Sequence, residues 1–282
     1  MNTQHQPNLD LKITSILLAI VFLLSACIPA NTPQLLSTVT PVVQATYQPA
    51  ATNEPPVMAS PTAAASIHLT LDSTGIATNL QTETVAAITA SDNAPYWQVM
   101  PAYTRVTLQG YPITNQLNQP QIFIYPVKEL EQANKEAGKM VASLQTLIGA
   151  PQEIPEMPFL PLLNTKQVMH TQLQYLDFKN GHGLRYLTQY DQAQLPINNR
   201  ELFYTYQGLT SDGKYYVAAV LPVTHPSLPA DEKVTGNEPA EFTSDFPAYL
   251  ANLTKTLNVQ SPDTFTPDLT RLDAMMSTIE IQ

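Results

Sequence analysis

The chain of 282 residues contains 13 Lys or Arg against 23 Asp or Glu, which gives a formal net charge of −10. This acidic balance argues against a protein that binds nucleic acid through clustered cations. A single cysteine excludes an intrachain disulfide framework and a cysteine-rich zinc or iron–sulfur site. The 44% of hydrophobic residues, with only 13% charged, argues against a chain that is disordered throughout.

An apolar run at residues 13–24 is shorter than the roughly 20 residues that span a bilayer and has the length of the apolar part of a signal peptide. It leads into Leu24-Ser25-Ala26-Cys27, which resembles the lipobox of bacterial lipoproteins. The resemblance implies that residues 1–26 are cleaved as a signal peptide and that Cys27 carries the lipid. It also implies a chain anchored to the cell membrane on its extracytoplasmic side. The alternatives are a secretory peptide followed by an incidental cysteine, or an uncleaved anchor.

The composition changes abruptly after Cys27. Residues 28–66 contain seven Pro, nine Ser or Thr and eight Ala, with Glu54 as the one charged residue. Such a segment buries too little apolar surface to offset the entropy of ordering it. We therefore predict that residues 27–66 form a disordered linker, which would hold a folded domain away from the membrane.

Residues 67–282 are expected to form one globular domain. In the first half of this domain the sequence pattern predicts four strands, at residues 67–71, 82–88, 103–108 and 121–125. An amphipathic helix is predicted to follow at residues 127–148. Four prolines within residues 151–161 exclude a regular element. We expect that segment to be an extended strap whose Ile154, Met157, Phe159 and Leu160 press on the domain. A proline-rich ligand for an aromatic groove is the alternative interpretation.

The second half predicts two hairpins. Strands at 168–178 and 184–190 flank a turn at 180–183, and strands at 202–210 and 215–223 flank Ser211-Asp212-Gly213-Lys214. Gly208 suggests a bulge within the second hairpin. Residues 231–241 are expected to be a surface loop, followed by helices at 246–257 and 267–279.

This order of elements predicts an α+β domain, with a largely antiparallel sheet and helices packed on one or both faces. Three segments are similar to uncharacterised bacterial lipoproteins, a family without an activity to transfer: Arg185-Tyr186-Leu187-Thr188-Gln189, Pro196-Ile197-Asn198-Asn199, and Gln207-Gly208-Leu209-Thr210 with Asp212-Gly213. The element order also resembles the α/β/α sandwich of the photosystem II extrinsic oxygen-evolving subunit. That second resemblance is one of topology and implies no function.

The sequence contains no nucleophile elbow, phosphate loop or dinucleotide fingerprint, and its histidines show no metal-ligand spacing. We therefore expect no cofactor and no metal. His182 is a candidate binding residue because glycines flank it on a predicted turn. Tyr186, Tyr204 and Tyr206 are candidates for an exposed aromatic face that would bind a protein or glycan. The alternative is that these tyrosines stabilise the sheet through cross-strand pairs.

Two functions follow from this sequence. The first is a non-catalytic, membrane-tethered domain that binds or scaffolds a protein, a glycan or another envelope component. The alternative is a secreted hydrolase whose site is assembled only in three dimensions.

Overall fold

The computed structural model describes residues 67–92, 94–114, 116–152 and 154–282. The predicted signal peptide, Cys27 and the predicted linker lie outside these residues. At the centre is a seven-stranded sheet with the order β2-β3-β4-β8-β7-β6-β5, in which every neighbouring pair is antiparallel. A separate two-stranded sheet joins β1 to β9. The strands are β1 Leu69–Thr70, β2 Asn79–Val85, β3 Tyr103–Gln109, β4 Gln121–Pro126, β5 Lys166–Tyr175, β6 Gly181–Asp191, β7 Phe203–Thr210, β8 Tyr215–Pro222 and β9 Glu280–Ile281.

Five α-helices are described within these residues, on both faces of the sheet: α1 Val127–Ala133, α2 Lys135–Gly149, α3 Ala240–Ser244, α4 Phe246–Asn258 and α5 Leu269–Ser277. Alternate residues of the strands enter two separate cores. On β4, Ile122 and Ile124 pack with α4 and α5, whereas Phe123 and Tyr125 pack with α1 and α2. We name these sides the α5 face and the α2 face. The predicted α+β class is confirmed, with helices on both faces.

The proline-rich strap also lies as predicted. Met157, Phe159 and Leu160 are buried in the α2-face core, and Ile154 is half-buried against it. The backbone of Leu160 is held on both sides, because its N–H donates to Gln207 Oε1 (3.0 Å) and its carbonyl accepts from Gln207 Nε2 (3.2 Å). The ring of Phe159 lies 4.8 Å from that of Tyr190. The strap therefore acts as a structural layer that covers the sheet beside α2.

The helix predicted over residues 127–148 is instead two helices, separated at Asn134. The Asn134 side chain accepts hydrogen bonds from Glu136 N (2.9 Å) and Ala137 N (3.2 Å), so it caps α2. Its amide nitrogen donates to Tyr96 O (2.6 Å) and Val99 O (2.9 Å) in a distant loop. These tertiary hydrogen bonds compete with helix continuation, and the apolar periodicity of the sequence does not reveal them.

The bulge predicted at Gly208 is wrong, since β7 pairs with β8 in continuous register. The register shifts lie in β5, between Gln167 and Met169 and between Thr171 and Gln174. Gly208 is needed for space: a Cβ there would lie 2.6 Å from the ring of Tyr206, and one at the opposite Gly183 would lie 2.5 Å from the Tyr206 hydroxyl. The two glycines leave room for one buried ring.

The remaining predicted strands and helices differ from the observed ones mainly in the residues at which they begin and end. The first strand is two residues long and pairs with the C-terminus, and the last helix begins at Leu269 after the capping side chain of Asp268. The hairpin at residues 211–214 is confirmed, with Gly213 at a φ of +71°. No helix of the described part of the chain is long and apolar enough to cross a membrane.

Candidate functional site

The three candidate tyrosines are completely buried, so the predicted exposed aromatic face is wrong. Their hydroxyls donate to groups inside the domain: Tyr186 to Pro158 O (2.9 Å), Tyr204 to Asp273 Oδ1 (3.0 Å) and Tyr206 to Leu176 O (2.8 Å). Burial is the main reason why the pKa of each of the three hydroxyls lies far above its usual value. Because the strap and the helices cover both faces of the sheet, these rings support the fold from inside.

His182 is exposed, but it is the second residue of β6 and does not lie on a turn tip. Its Nδ1 lies 2.9 Å from Asp177 Oδ1, and both side chains are more than half exposed. The flanking glycines serve packing, since a Cβ at Gly181 would lie 2.0 Å from the ring of Phe178. Because His182 is exposed and the three tyrosines are buried, these four residues do not form one accessible site.

His225 is buried between two hydroxyls. Its Nδ1 lies 2.7 Å from Ser227 Oγ and its Nε2 lies 3.2 Å from Thr264 Oγ1, while its ring packs 4.7 Å from that of Phe265. Burial lowers the pKa of His225. This arrangement holds the loop after β8 and lines neither of the two surface cavities described below.

Asp191 and Glu201 form a buried carboxylate pair that sequence spacing did not reveal. Each residue is less than a tenth exposed. Gln189 Nε2 donates to Asp191 Oδ2 (2.6 Å) and to Glu201 Oε2 (3.0 Å), and Asn198 Nδ2 also donates to Glu201 Oε2 (2.8 Å). Burial is the main cause that raises the pKa of both carboxyl groups. Raised carboxyl pKa values are common at catalytic sites, but this pair opens into neither of the two cavities, and the amides fix it as a brace for the turn before β7.

Glu201→Gln is expected to stabilise the protein at pH 7 by about 0.5–2 kcal/mol, the usual range for a stabilising substitution. The folded-state pKa of Glu201 lies above its unfolded value of 4.5. Between pH 4.5 and the higher folded-state pKa of Glu201, the folded state therefore binds more protons than the unfolded state. The free energy of unfolding of the wild type consequently rises as the pH falls through this range. Urea denaturation at several pH values should show that the free energy of unfolding rises less in the variant than in the wild type as the pH falls. The exposed Glu131→Gln serves as a matched control, and equal pH dependence of wild type and Glu201→Gln would contradict the assignment.

The larger of the two described cavities is a groove of about 750 Å³ along the outer edge of β5. The helix α4 forms one side, and Pro155 of the strap contributes to the other. Its apolar lining consists mainly of Val168, Leu173, Leu250 and Val259, and the last of these is 77% exposed. We name this cavity the α4–β5 groove.

Asn258, the last residue of α4, fixes the geometry of this groove. Its Oδ1 accepts from Thr171 Oγ1 (2.7 Å) and from Gln172 N (2.6 Å) at the second bulge of β5. Gln172 has a φ of +56°, and its side chain donates to Leu257 O (2.8 Å) and Gln260 O (2.9 Å) at the end of α4. The helix end and the bulged strand are thus locked together, which gives the groove a preformed wall.

The charged lining of the α4–β5 groove is basic in an acidic protein. Lys255 and His170 line it, and none of the twelve lining residues is Asp or Glu. Within the described residues Lys255 makes no ion pair and is exposed. An apolar groove with an available cation is suited to a ligand that combines an apolar body with a negative charge.

The second cavity, of about 550 Å³, lies between the loop around Tyr96 and the start of α2. Its lining combines apolar residues with one amide and two oppositely charged side chains: Ala90, Ala94, Tyr96, Val99, Ala133, Asn134, Lys135 and Glu136. The buried amide of Asn134 already uses its oxygen and its nitrogen within the fold. Because the charges of Lys135 and Glu136 have opposite signs, this cavity has less means of orienting a charged ligand than the α4–β5 groove.

Comparisons of the chain with protein-family models, with curated proteins and with solved structures found no match. Within the described part of the chain, no three His, Cys, Asp or Glu side chains are grouped so that they could hold a metal ion.

Proposed function

We propose that this chain is a lipid-anchored, extracytoplasmic binding domain whose α4–β5 groove takes an apolar ligand with a negative charge. The anchor is supported by the position of the only cysteine, Cys27, directly after Leu24-Ser25-Ala26 and the apolar run at residues 13–24. Lipid attachment there would hold the chain at the membrane surface, while residues 28–66 would separate the domain from it.

The observation that carries the binding function is the lining of the α4–β5 groove. Four apolar side chains contribute the surface that a hydrocarbon or apolar peptide side chain would bury. Lys255 lies at the same groove and attracts the charged end of a ligand, which fixes its orientation. The hydrolase alternative receives no comparable support, because His182 and Asp177 meet on an open surface.

A pair of probes that differ only in charge tests this function. Dodecanoate and dodecanol share the apolar chain, and binding is measured by calorimetry on segment 60–282, which contains every residue that the structure describes. Wild type is expected to bind dodecanoate more tightly than dodecanol. Lys255→Glu should weaken dodecanoate binding about five- to tenfold, because an attraction worth up to about 1 kcal/mol becomes a repulsion.

The matched control is Lys128→Glu, which makes the same charge change on the exposed side of α1, away from the groove. This variant should bind dodecanoate as wild type does, and dodecanol binding should be unchanged in both variants. Equal affinity of the wild type for both probes, or equal effects of the two substitutions, would contradict the proposed ligand class.

A further inference from the structure

The two edges of the seven-stranded sheet differ in their protection against pairing with another strand. The edge strand β5 has two register shifts, α4 packs beside it, and Asn258 occupies the backbone N–H of Gln172. Bulges and covering elements are the devices by which natural sheets block an edge. Within the residues that the structure describes, the opposite edge strand β2 has no register shift and no helix packed beside it.

β2 pairs with β3 in unbroken register over all seven residues, and five of the seven are exposed. It contains no Pro, no Lys and no bulge between Asn79 and Val85. An exposed, regular edge strand of this length is a template for another strand. An unblocked edge of this kind is available to a partner strand.

The hydrogen-bonding direction of β2 follows from its neighbours. Leu108 N donates to Pro120 O (3.0 Å) and Val127 N donates to Lys214 O (2.9 Å), so even-numbered residues of β3 bond to β4 and odd-numbered residues of β4 bond to β8. The odd-numbered residues of β3 therefore bond to β2. It follows that Leu80, Thr82 and Thr84 direct their backbone N–H and C=O groups away from the sheet.

These outward residues are self-complementary about Thr82. In an antiparallel pair of two β2 strands centred there, Thr82 faces Thr82 of the second copy, and Leu80 faces Thr84. Leu80, Thr82 and Thr84 are all at hydrogen-bonded positions in this register. The outward backbone N–H and C=O groups of these three residues are therefore all paired between the two copies. Threonine pairs opposite each other are favourable in antiparallel sheets.

The side chains between these positions match as well, because Gln81 then lies opposite Glu83 of the second copy. Gln81 Oε1 accepts from Gln109 Nε2 (2.8 Å), while Gln81 Nε2 has no partner in the described residues. Glu83 Oε1 is bound by Arg105 Nη2 (2.7 Å), and Glu83 Oε2 likewise makes no hydrogen bond there. Each free donor thus meets a free acceptor, twice by symmetry, and Arg105 already balances the Glu83 charge.

We propose that β2 is a homodimerisation edge: two copies of this chain pair their β2 strands antiparallel about a two-fold axis through Thr82, which continues the sheet from one copy into the other. The occupant of the edge is a second copy because the register, the backbone groups and the Gln81–Glu83 pairs are complementary to themselves. This interface does not depend on the ligand groove, which lies at the other edge.

Cysteine cross-linking of the purified full chain in detergent tests this register. At a hydrogen-bonded pair the two Cα atoms are about 5.5 Å apart, within the range of a disulfide, so Thr82→Cys should form a dimer under mild oxidation. Thr84→Cys is the matched control on the same strand, because its two copies would lie about 13 Å apart along the strands. Wild type gives the background from any chain whose Cys27 is not lipidated. Cross-linking of Thr82→Cys no stronger than that of Thr84→Cys overturns the proposal.

Sedimentation equilibrium of the same full chain provides a second measurement that does not need a disulfide. Wild type should show a concentration-dependent dimer, and Thr82→Lys, which places two like charges opposite each other, should weaken it about fivefold. Circular dichroism checks that the variant is folded. A wild-type chain that remains monomeric at every concentration, including one whose edge instead takes up a foreign peptide, overturns the proposal.

Discussion

Asp273→Ala is expected to lower the free energy of unfolding by about 3–5 kcal/mol, since it leaves a buried cation without its partner. The Arg185 side chain is 3% exposed, and its Nε donates to Asp273 Oδ1 on α5 (3.1 Å). Tyr204 donates to the same oxygen, and Arg185 also donates to Gln172 O and to Gln174 Oε1 (2.8 Å). This cluster joins α5 to the middle of the sheet. Urea denaturation monitored by circular dichroism measures the loss.

The double variant Arg185→Met/Asp273→Leu distinguishes the loss of the whole ion pair from the loss of one partner. Burial raises the pKa of Asp273, although Arg185 and Tyr204 act in the opposite direction. Replacing a buried ion pair by apolar side chains of similar size is often neutral or stabilising, whereas removing one partner is not. The double variant should therefore recover most of the loss. Asp231→Ala, which removes the partner of the exposed Lys233, is expected to leave stability unchanged within error. A loss below about 1 kcal/mol for Asp273→Ala would contradict the role of this cluster.

Leu160→Ala in the strap is expected to cost about 2–5 kcal/mol, because its side chain is fully buried and its removal leaves a cavity in the α2-face core. The two hydrogen bonds from Gln207 hold the backbone of Leu160 in place and limit collapse around that cavity. Thermal and urea unfolding measure the effect.

Leu163→Ala is the matched control, three residues further along the chain. Leu163 is 36% exposed, so the same substitution should cost less than about 1 kcal/mol. Equal losses for the two variants would show that the strap is not the close-packed layer described above.

The fold class was predictable because it depends on short-range patterns. Alternating strands, the Asp212-Gly213 turn and the apolar stripes of α2, α4 and α5 each specify an element locally. The density of prolines similarly excluded regular structure at residues 151–161. The strand ends and the pairing of β1 with β9 were not predictable, since they depend on contacts between the two ends of the domain.

The tyrosines illustrate the limit for the candidate site. Alternation places Tyr204 and Tyr206 on one face of a strand, but it does not reveal whether helices cover that face. Here α5 covers it, and the strap covers the face that carries Tyr186. The ring hydroxyls then bind backbone carbonyls or Asp273, and no surface remains for a ligand.

The α4–β5 groove depends on contacts that sequence spacing does not show. It is built by the bulge at Gln172 and by Asn258, which are 86 residues apart. Available signals were weak: an amphipathic helix that ends in Asn258, and an irregular alternation in residues 168–178. Lys255 is unremarkable in sequence and becomes a candidate binding residue only through its position beside β5.

Residues 185–189, 196–199 and 207–210 contribute much of the internal polar framework. Arg185 bonds to Asp273, Gln189 and Asn198 hold the carboxylate pair, and Gln207 holds the strap. Asn199 accepts from His225 N (2.7 Å) and donates to Leu228 O (3.0 Å). These contacts satisfy the requirement that buried polar groups be hydrogen-bonded.

The proposed function requires a lipid anchor at Cys27. The most direct test of this anchor is expression of wild type and Cys27→Ala in bacteria fed labelled fatty acid, with fractionation and mass measurement of the mature N-terminus. Wild type should be labelled, membrane-bound and cleaved before Cys27, whereas Cys27→Ala should be unlabelled and uncleaved. An unlabelled wild type whose mature N-terminus is not residue 27 would contradict the account.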